Sequence, residues 1–242
     1  MRVAVVADVH ANLTALEAVI ADLYAVSPDL VIVGGDLVGS GSRLAHVVDR
    51  VRDLEWPSIF GNSDEMLWNK PAVDDYFESP TMHRWRPIID RAIIATSSAL
   101  GPDRIAWLRA LPREWHDGDN LAVVHASPTT TWRAPGSSAS DAELGDTYES
   151  LHSQRVMYGH IHHPFVRGVR GFTVANCGSV GLPYDGDCRA AYAVADDHTI
   201  TIRRVEYDVE AEVAALSAHH CPDANWIAAM LRAGAPVAPI LS

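Results

Sequence analysis

Residues 3 to 10, "VAVVADVH", form an apolar run that closes on an acid and an imidazole. The run reads as a strand, with Asp8 and His10 at its carboxyl end. The pattern returns along the chain. "LVIVGGD" (30–36) closes on Asp36, "SIFGN" (58–62) is a shorter third strand closing on Asn62, "LAVVHASP" (121–128) carries His125, and "RVMYGHIH" (155–162) carries His160 and His162. Amphipathic stretches lie between these runs. Leu13, Leu16, Val19, Ile20 and Leu23 keep helical spacing until "SPD" at 27–29 stops them, and Ser42 is placed to cap a helix whose apolar face is Leu44, Val47, Val48, Val51 and Leu54. Strand-like runs alternating with amphipathic helices predict an α/β fold.

Residues 64–118 break the rhythm. They are rich in tryptophan and arginine, hold the acidic patch "DDYFE" (74–78), and show no clear alternation, so a helical insertion is expected within a single domain spanning 1–242. Beyond it, Ser140 with Glu143 matches a capping box. "GFTVANCGSVG" (171–181) predicts a strand and a Gly-rich turn. "RAAYAVADDHTITIRRVEY" (189–207) predicts a hairpin turning near Asp196 and Asp197, with a bulge where alternation slips at Arg203 and Arg204. Two amphipathic segments close the chain.

A hydrophobic fraction of 48% and a charged fraction of 21% suit a globular protein. No apolar stretch is long enough to span a bilayer, and no cleavage site follows the first run, so a cytoplasmic protein with no membrane partner is expected. Cys177, Cys188 and Cys221 form an odd set with no CxxC pair, which argues against a disulfide framework and against a thiolate zinc site. The net charge is −12 and the chain has a single lysine, so a nucleic-acid duplex would be repelled. Any phosphate chemistry needs a local positive source.

The strand ends supply one. In open α/β sheets ligands bind beyond the carboxyl ends of the strands, where Asp8, His10, Asp36, Asn62, His125, His160 and His162 can meet. Residues two apart in extended chain point the same way, which pairs Asp8 with His10 and His160 with His162. Imidazole mixed with carboxylate and amide oxygen suits manganese, iron, cobalt, nickel or zinc, with manganese favoured. Seven ligands are too many for one tetrahedral ion. Two divalent ions sharing a carboxylate would use them all, leave positions for water and substrate, and more than offset the negative charge of the two aspartates.

The ordered blocks "DVH", "GGD", "GNSD", "VVH" and "GHIH" resemble the signature of the calcineurin-like metallophosphoesterase superfamily, and "NCGSVGLPYDGD" resembles its small prokaryotic members. The resemblance implies a two-sheet sandwich flanked by helices in four layers. It also implies that Asp8, His10 and His162 hold one ion, that Asn62, His125 and His160 hold the other near the phosphoryl group, and that Asp36 bridges them. The implied reaction is hydrolysis of a small phosphodiester, nucleotide or phosphomonoester by hydroxide held between the ions. A protein phosphatase and an inactive scaffold of the same fold are the alternatives, and oligomeric state is left open.

Two positions depart from the family pattern. Ser63 stands where many members carry a histidine credited with protonating the leaving group; it is expected to orient substrate, with His83 a candidate acid from the insertion. Ala11 replaces a common glycine, at no expected cost, and Asn12 is expected to contact phosphate. His163 points away from its neighbours and is left outside the ligand set. "AHHCP" (218–222) is read as a helix end, where histidines suit the dipole and Pro222 stops the helix.

Overall fold

The computed structural model describes residues 1–197 and 199–238. In chain order, β1 (Val3–Val6), α1 (Leu13–Val26), β2 (Leu30–Val33) and α2 (Leu44–Asp53) make the first βαβα stretch. Four helices follow: α3 (Asn62–Glu65), α4 (Lys70–Phe77), α5 (Pro80–His83) and α6 (Arg86–Ala110), the last kinked at Gly101 and Pro102. Then come β3 (Glu114–Asp117), β4 (Leu121–Val124), α7 (Asp141–Tyr148), β5 (Arg155–Tyr158), β6 (Phe165–Val169), β7 (Phe172–Asn176), β8 (Ala190–Ala195) and β9 (Ile200–Val205). Helices α8 (Val209–Ala218) and α9 (Ala224–Ala233) close the chain. No helix among the described residues is long and apolar enough to cross a membrane.

The strands build two mixed sheets, ordered β2-β1-β8-β9 and β3-β4-β5-β7-β6. Alternation along β1 explains how they stack. Val3, Val5 and Ala7 face the second sheet and meet Leu121, Val123, Met157 and Ala175. Ala4 and Val6 face the other way, onto Leu16 and Val19 of α1, Val47 and Val48 of α2, and Leu100 and Leu108 of α6. The outer face of the second sheet, through Val124, Val156, Tyr158 and Val174, is covered by Leu144 and Tyr148 of α7. Sheets buried on both faces need apolar residues at successive positions, which is why β1, β4 and β5 read as unbroken runs. The result is the expected α/β sandwich in four layers, helix, sheet, sheet, helix. Each large aliphatic side chain fully buried in these layers contributes roughly 1.5–3 kcal/mol.

Several local expectations need correction. "SIFGN" makes only an isolated bridge, Val33 to Ser58, because its backbone turns at once into α3. The segment expected to be helical ends in strand β3, antiparallel to β4. Ser42 is not the cap of α2: its N–H donates to Glu212 Oε1 at 3.2 Å, and Arg43 occupies the cap position. The β8–β9 ladder runs unbroken from Ala190↔Val205 to Ala195↔Ile200, so Arg203 and Arg204 carry no bulge; both side chains reach acids, Asp22 and Asp185. Strand β6 was not foreseen. It forms a hairpin with β7 through Arg170 and Gly171, both at positive φ, as a two-residue turn requires. Ser140 does accept the Glu143 N–H, and α8 ends at Ala218 with His219 as its cap.

Candidate metal centre

The loops that follow β1, β2 and β5 leave their strands by left-handed turns. Asp8, His10, Asp36, His160 and His162 have φ of 56°, 48°, 54°, 66° and 56°. The extended-chain pairing expected for Asp8 with His10 and for His160 with His162 is therefore replaced by curled backbone. Ala11 follows at φ 56°, so the alanine is not free of cost there; a left-handed residue with a Cβ gives up about 1 kcal/mol against glycine. Such conformations persist only where the surroundings over-determine them.

The surroundings here are specific. The N–H groups of Asp8, His10 and Ala11 donate to the carbonyls of Gly35, Asp36 and Leu37 at 3.0, 2.9 and 2.8 Å, stitching the first loop to the second. Asp64, fully buried, then gathers the second loop. Its Oδ2 accepts from the N–H of Asp36 and of Gly61, each at 2.9 Å, and its Oδ1 from Leu37 and Val38 at 3.1 and 3.2 Å. Burial pushes the Asp64 carboxyl up to about 7, with Asp36 adding to the rise. Sequence reading passed over Asp64, although its position directly after "GNS" was a usable signal. At Gly61 and Gly159 the loops approach too closely for a side chain: a Cβ would lie 2.1 Å from Asp36 Oδ1 and 2.4 Å from Asp8 Oδ2.

All seven expected ligands converge. His162 Nε2 lies 3.4 Å from Asp8 Oδ1 and 3.1 Å from His10 Nε2, and His10 Nε2 lies 3.6 Å from Asp36 Oδ2. On the other side of Asp36, its Oδ1 is 3.5 Å from His125 Nε2. The end of the Asn62 carboxamide is 3.0 Å from His125 Nε2 and 2.8 Å from His160 Nδ1. Two groupings thus share Asp8: Asp8 with His10 and His162, and Asp8 with Asp36 and His125. For ligand bonds of about 2.0–2.2 Å, neighbouring ligand atoms stand roughly 3–3.5 Å apart.

The protonation pattern sharpens this. Three of the four imidazoles have the far nitrogen tied to a backbone carbonyl: His10 Nδ1 to Val38 at 3.2 Å, His125 Nδ1 to Gly34 at 2.9 Å, and His162 Nδ1 to Leu182 at 2.5 Å. A nitrogen donating to a carbonyl carries the proton, so each Nε2 presents a lone pair to the crevice. His10 and His162 then face one another lone pair to lone pair. Beside them Asp8 Oδ1 is a buried oxygen with no hydrogen-bond partner among the described residues, while its Oδ2 accepts the His160 N–H at 2.9 Å. An orphaned anionic oxygen against opposed lone pairs is satisfied by a cation.

Electrostatics agree. Burial pushes Asp8 up to about 7 and Asp36 up to about 6, and pulls His10 and His162 down to about 4, with His160 also lowered by burial. Among the described residues, none of the ion pairs made by Asp8 or Asp36 involves a lysine or arginine. Asn62 can serve in two ways. With its amide nitrogen inward it donates toward His125, His160 and the Thr131 carbonyl at 3.2 Å while its oxygen accepts the Ser63 N–H. With its oxygen inward it becomes a third lone-pair atom beside the two imidazoles. The donor set of carboxylate, amide oxygen and neutral imidazole therefore fits divalent transition metals.

Other expected residues fall elsewhere. Asn12 is buried at the start of α1, its oxygen capping Ala15 and its nitrogen donating to the Gly181 carbonyl at 3.0 Å, so its carboxamide serves the fold. Ser63 holds Asp36, donating its N–H and hydroxyl to the two carboxylate oxygens at 2.7 and 2.8 Å. His83 sits at the end of α5 and makes no hydrogen bond or ring contact with the seven among the described residues. An aromatic neighbour was missed: Tyr184 stacks on His162 at 4.5 Å between ring centroids.

Comparison with known proteins follows the same lines. Residues 1–199 match the model of the calcineurin-like phosphoesterase superfamily domain. An uncharacterized protein of Methanocaldococcus jannaschii, MJ0912, is 29% identical over 254 residues, covering 96% of this chain and 98% of its own. Among solved structures, a metallophosphoesterase from Sphaerobacter thermophilus is similar at TM-score 0.77 and 29% identity, over 97% of this chain and all of its own. Hypothetical protein PH1004 from Pyrococcus horikoshii OT3 shares the fold at TM-score 0.82 and 18% identity, over 98% and 99% of the two chains.

Proposed function

The chain belongs to the calcineurin-like phosphoesterase superfamily, and from that premise we propose that its crevice holds two divalent ions and hydrolyses small phosphate esters. Asp8, His10 and His162 would hold one ion, Asn62, His125 and His160 the other, with Asp36 between them and manganese the favoured metal. When bound, such ions activate water and neutralise charge on the phosphoryl oxygens. The observation that carries this reading is the 3.1 Å approach of His10 Nε2 to His162 Nε2 beside the orphaned Asp8 Oδ1.

The chain's own residues do the positioning. Carbonyls of Gly34, Val38 and Leu182 fix the tautomers of His125, His10 and His162, and Ser63 fixes the plane of the Asp36 carboxylate. Ser63 also bears on substrate choice. A serine hydroxyl has no useful acidity near neutral pH, so the leaving group must depart with little help, which favours activated diesters and nucleotide phosphates.

Metal analysis of the purified protein, with assays on bis(p-nitrophenyl) phosphate and p-nitrophenyl phosphate in added manganese, tests the reading. Manganese-dependent turnover of the diester supports it. Metal-free, inactive protein under all conditions would favour an inert scaffold, and activity confined to phosphoproteins would favour a protein phosphatase.

A further inference from the structure

Helix α6 of the insertion carries a stripe that the metal centre does not use. Ile88, Ala92 and Thr96 follow at four-residue spacing and share one face, with a small residue between two larger ones. Together with Trp226 and Ile227 of α9 they line a mostly apolar cavity with about 100 Å³ of free space among the described residues. Room of this order suits one six-membered aromatic ring, since an apolar cavity of about 150 Å³ is enough to bind benzene. Trp226 makes a fixed wall: its indole N–H donates to the Val237 carbonyl at 2.6 Å, and its ring stacks on Trp85 at 5.7 Å between centroids.

The polar groups of the cavity are few. Thr96 is 2% exposed, yet its hydroxyl makes no hydrogen bond among the described residues, not even to the Ala92 carbonyl one turn back, where a threonine inside a helix commonly bonds. A buried hydroxyl left unpaired in the wall of a cavity is a contact waiting for a ligand. No lysine or arginine lines the space, and Asp223 at its edge is paired with Arg91 at 3.0 Å, so a neutral ring suits it better than a second phosphate.

The cavity also adjoins the metal centre. Its remaining wall includes Gly39 of the loop after β2, where a Cβ would lie 2.9 Å from His10 Nδ1 and 3.6 Å from Ser63 Cβ. Gly39 and the next residue, Ser40, are half-buried, which makes them a lip between the two spaces. A narrower cleft lined by His10 shares Ser40, Gly41 and Ile227 with the cavity.

We propose that this cavity is a specificity subsite that receives an aromatic six-membered ring esterified to the phosphate, an aryl group or a pyrimidine, with Thr96 as its polar contact. The proposal rests on the phosphate-ester reading above and names the kind of ester. Small pockets that combine an apolar wall with one or two placed polar groups fix orientation in this way.

The experiment measures ring binding and turnover separately. Ligand-observed NMR titrations of chelator-stripped protein with p-nitrophenol and with thymidine are run for wild type, Ala92→Phe, Ala92→Leu, Thr96→Val and Ile94→Ala. Wild type should bind at least one of the two probes; p-nitrophenol alone identifies an aryl ester, and thymidine a pyrimidine nucleotide. Ala92→Phe fills the space and should weaken binding at least tenfold. Thr96→Val keeps the shape and loses one hydrogen bond, for a loss of about fivefold. Ile94 is 71% exposed and does not line the cavity, so Ile94→Ala should bind as wild type does. If Ala92→Phe does not fold, Ala92→Leu and Thr96→Val carry the comparison.

With manganese present, the cavity variants should raise KM for bis(p-nitrophenyl) phosphate by the same factors while manganese affinity stays at the wild-type value. Wild type that binds neither probe, filled variants that bind like wild type, or an unchanged KM would each overturn the proposal. Absence of manganese-dependent turnover in wild type would instead defeat the phosphoesterase reading, and the metal-free titrations would still decide whether the cavity takes a ring.

Discussion

Ser63 meets Asp36 twice, its N–H donating to Oδ1 at 2.7 Å and its hydroxyl to Oδ2 at 2.8 Å. The carboxylate placed between the two ligand groups is therefore fixed by a residue that sequence reasoning assigned to substrate. Hydrogen bonds to charged groups contribute about 1.5–3 kcal/mol, so Ser63→Ala should lower kcat/KM roughly 10–100-fold with the fold intact. Steady-state kinetics with a circular dichroism control checks this. Ser63→His, by adding an imidazole of suitable acidity, should flatten the dependence of rate on leaving-group pKa across a series of aryl phosphodiesters; an unaltered slope would remove the acid argument.

Manganese binding should weaken as pH falls below about 7. Burial raises Asp8 to about 7 and Asp36 to about 6, so both carboxyls carry protons at lower pH and must shed them to act as ligands. Affinity should rise from pH 5 to 7 and level off above, with proton release on binding. Titration in two buffers of different ionisation enthalpy measures that release; binding without release at pH 6 would contradict the assignment.

Gly61→Ala should abolish metal retention and cost about 1–3 kcal/mol, because its Cβ would stand 2.1 Å from Asp36 Oδ1. Gly118→Ala makes the matched control. Gly118 also has positive φ, 50°, but meets nothing within 4 Å, so it should lose only about 1 kcal/mol and keep full activity. Urea unfolding and metal content separate the two.

Glu212, fully buried on α8, accepts from Thr14 Oγ1 at 2.7 Å, from the Ser42 N–H and from Arg43 Nη2 at 2.7 Å. It ties the C-terminal helices to the loop behind His10. Glu212→Ala strands Arg43 and an unpaired N–H, and should destabilise by about 3 kcal/mol, within the range for breaking a buried ion pair. Urea denaturation at fixed metal concentration reads this out, and a loss below 1 kcal/mol would show the network to be slack.

The α/β class was legible because apolar runs and helical spacing are local properties. The bounds of the irregular parts were less so. The strand expected at Ser58 reduces to one bridge and β3 emerges from an apparently helical stretch, since a short half-exposed strand such as "EWHD" takes its conformation from the neighbour it pairs with. The hairpin strand β6 escaped notice for the same reason.

Within the site, the seven ligand candidates could be named from residue type and order at strand ends, because their joint recurrence at successive strand ends, and not any one of them, carries the information. Their directions could not. Asp8 and His10 converge through left-handed turns, not through the pleat of a strand, and three imidazoles are set by the carbonyls of Gly34, Val38 and Leu182. Every residue has a carbonyl, so no sequence pattern marks the ones that matter. Which chemistry was present was written in the side chains; which lone pairs faced each other depended on backbone brought together from distant parts of the chain.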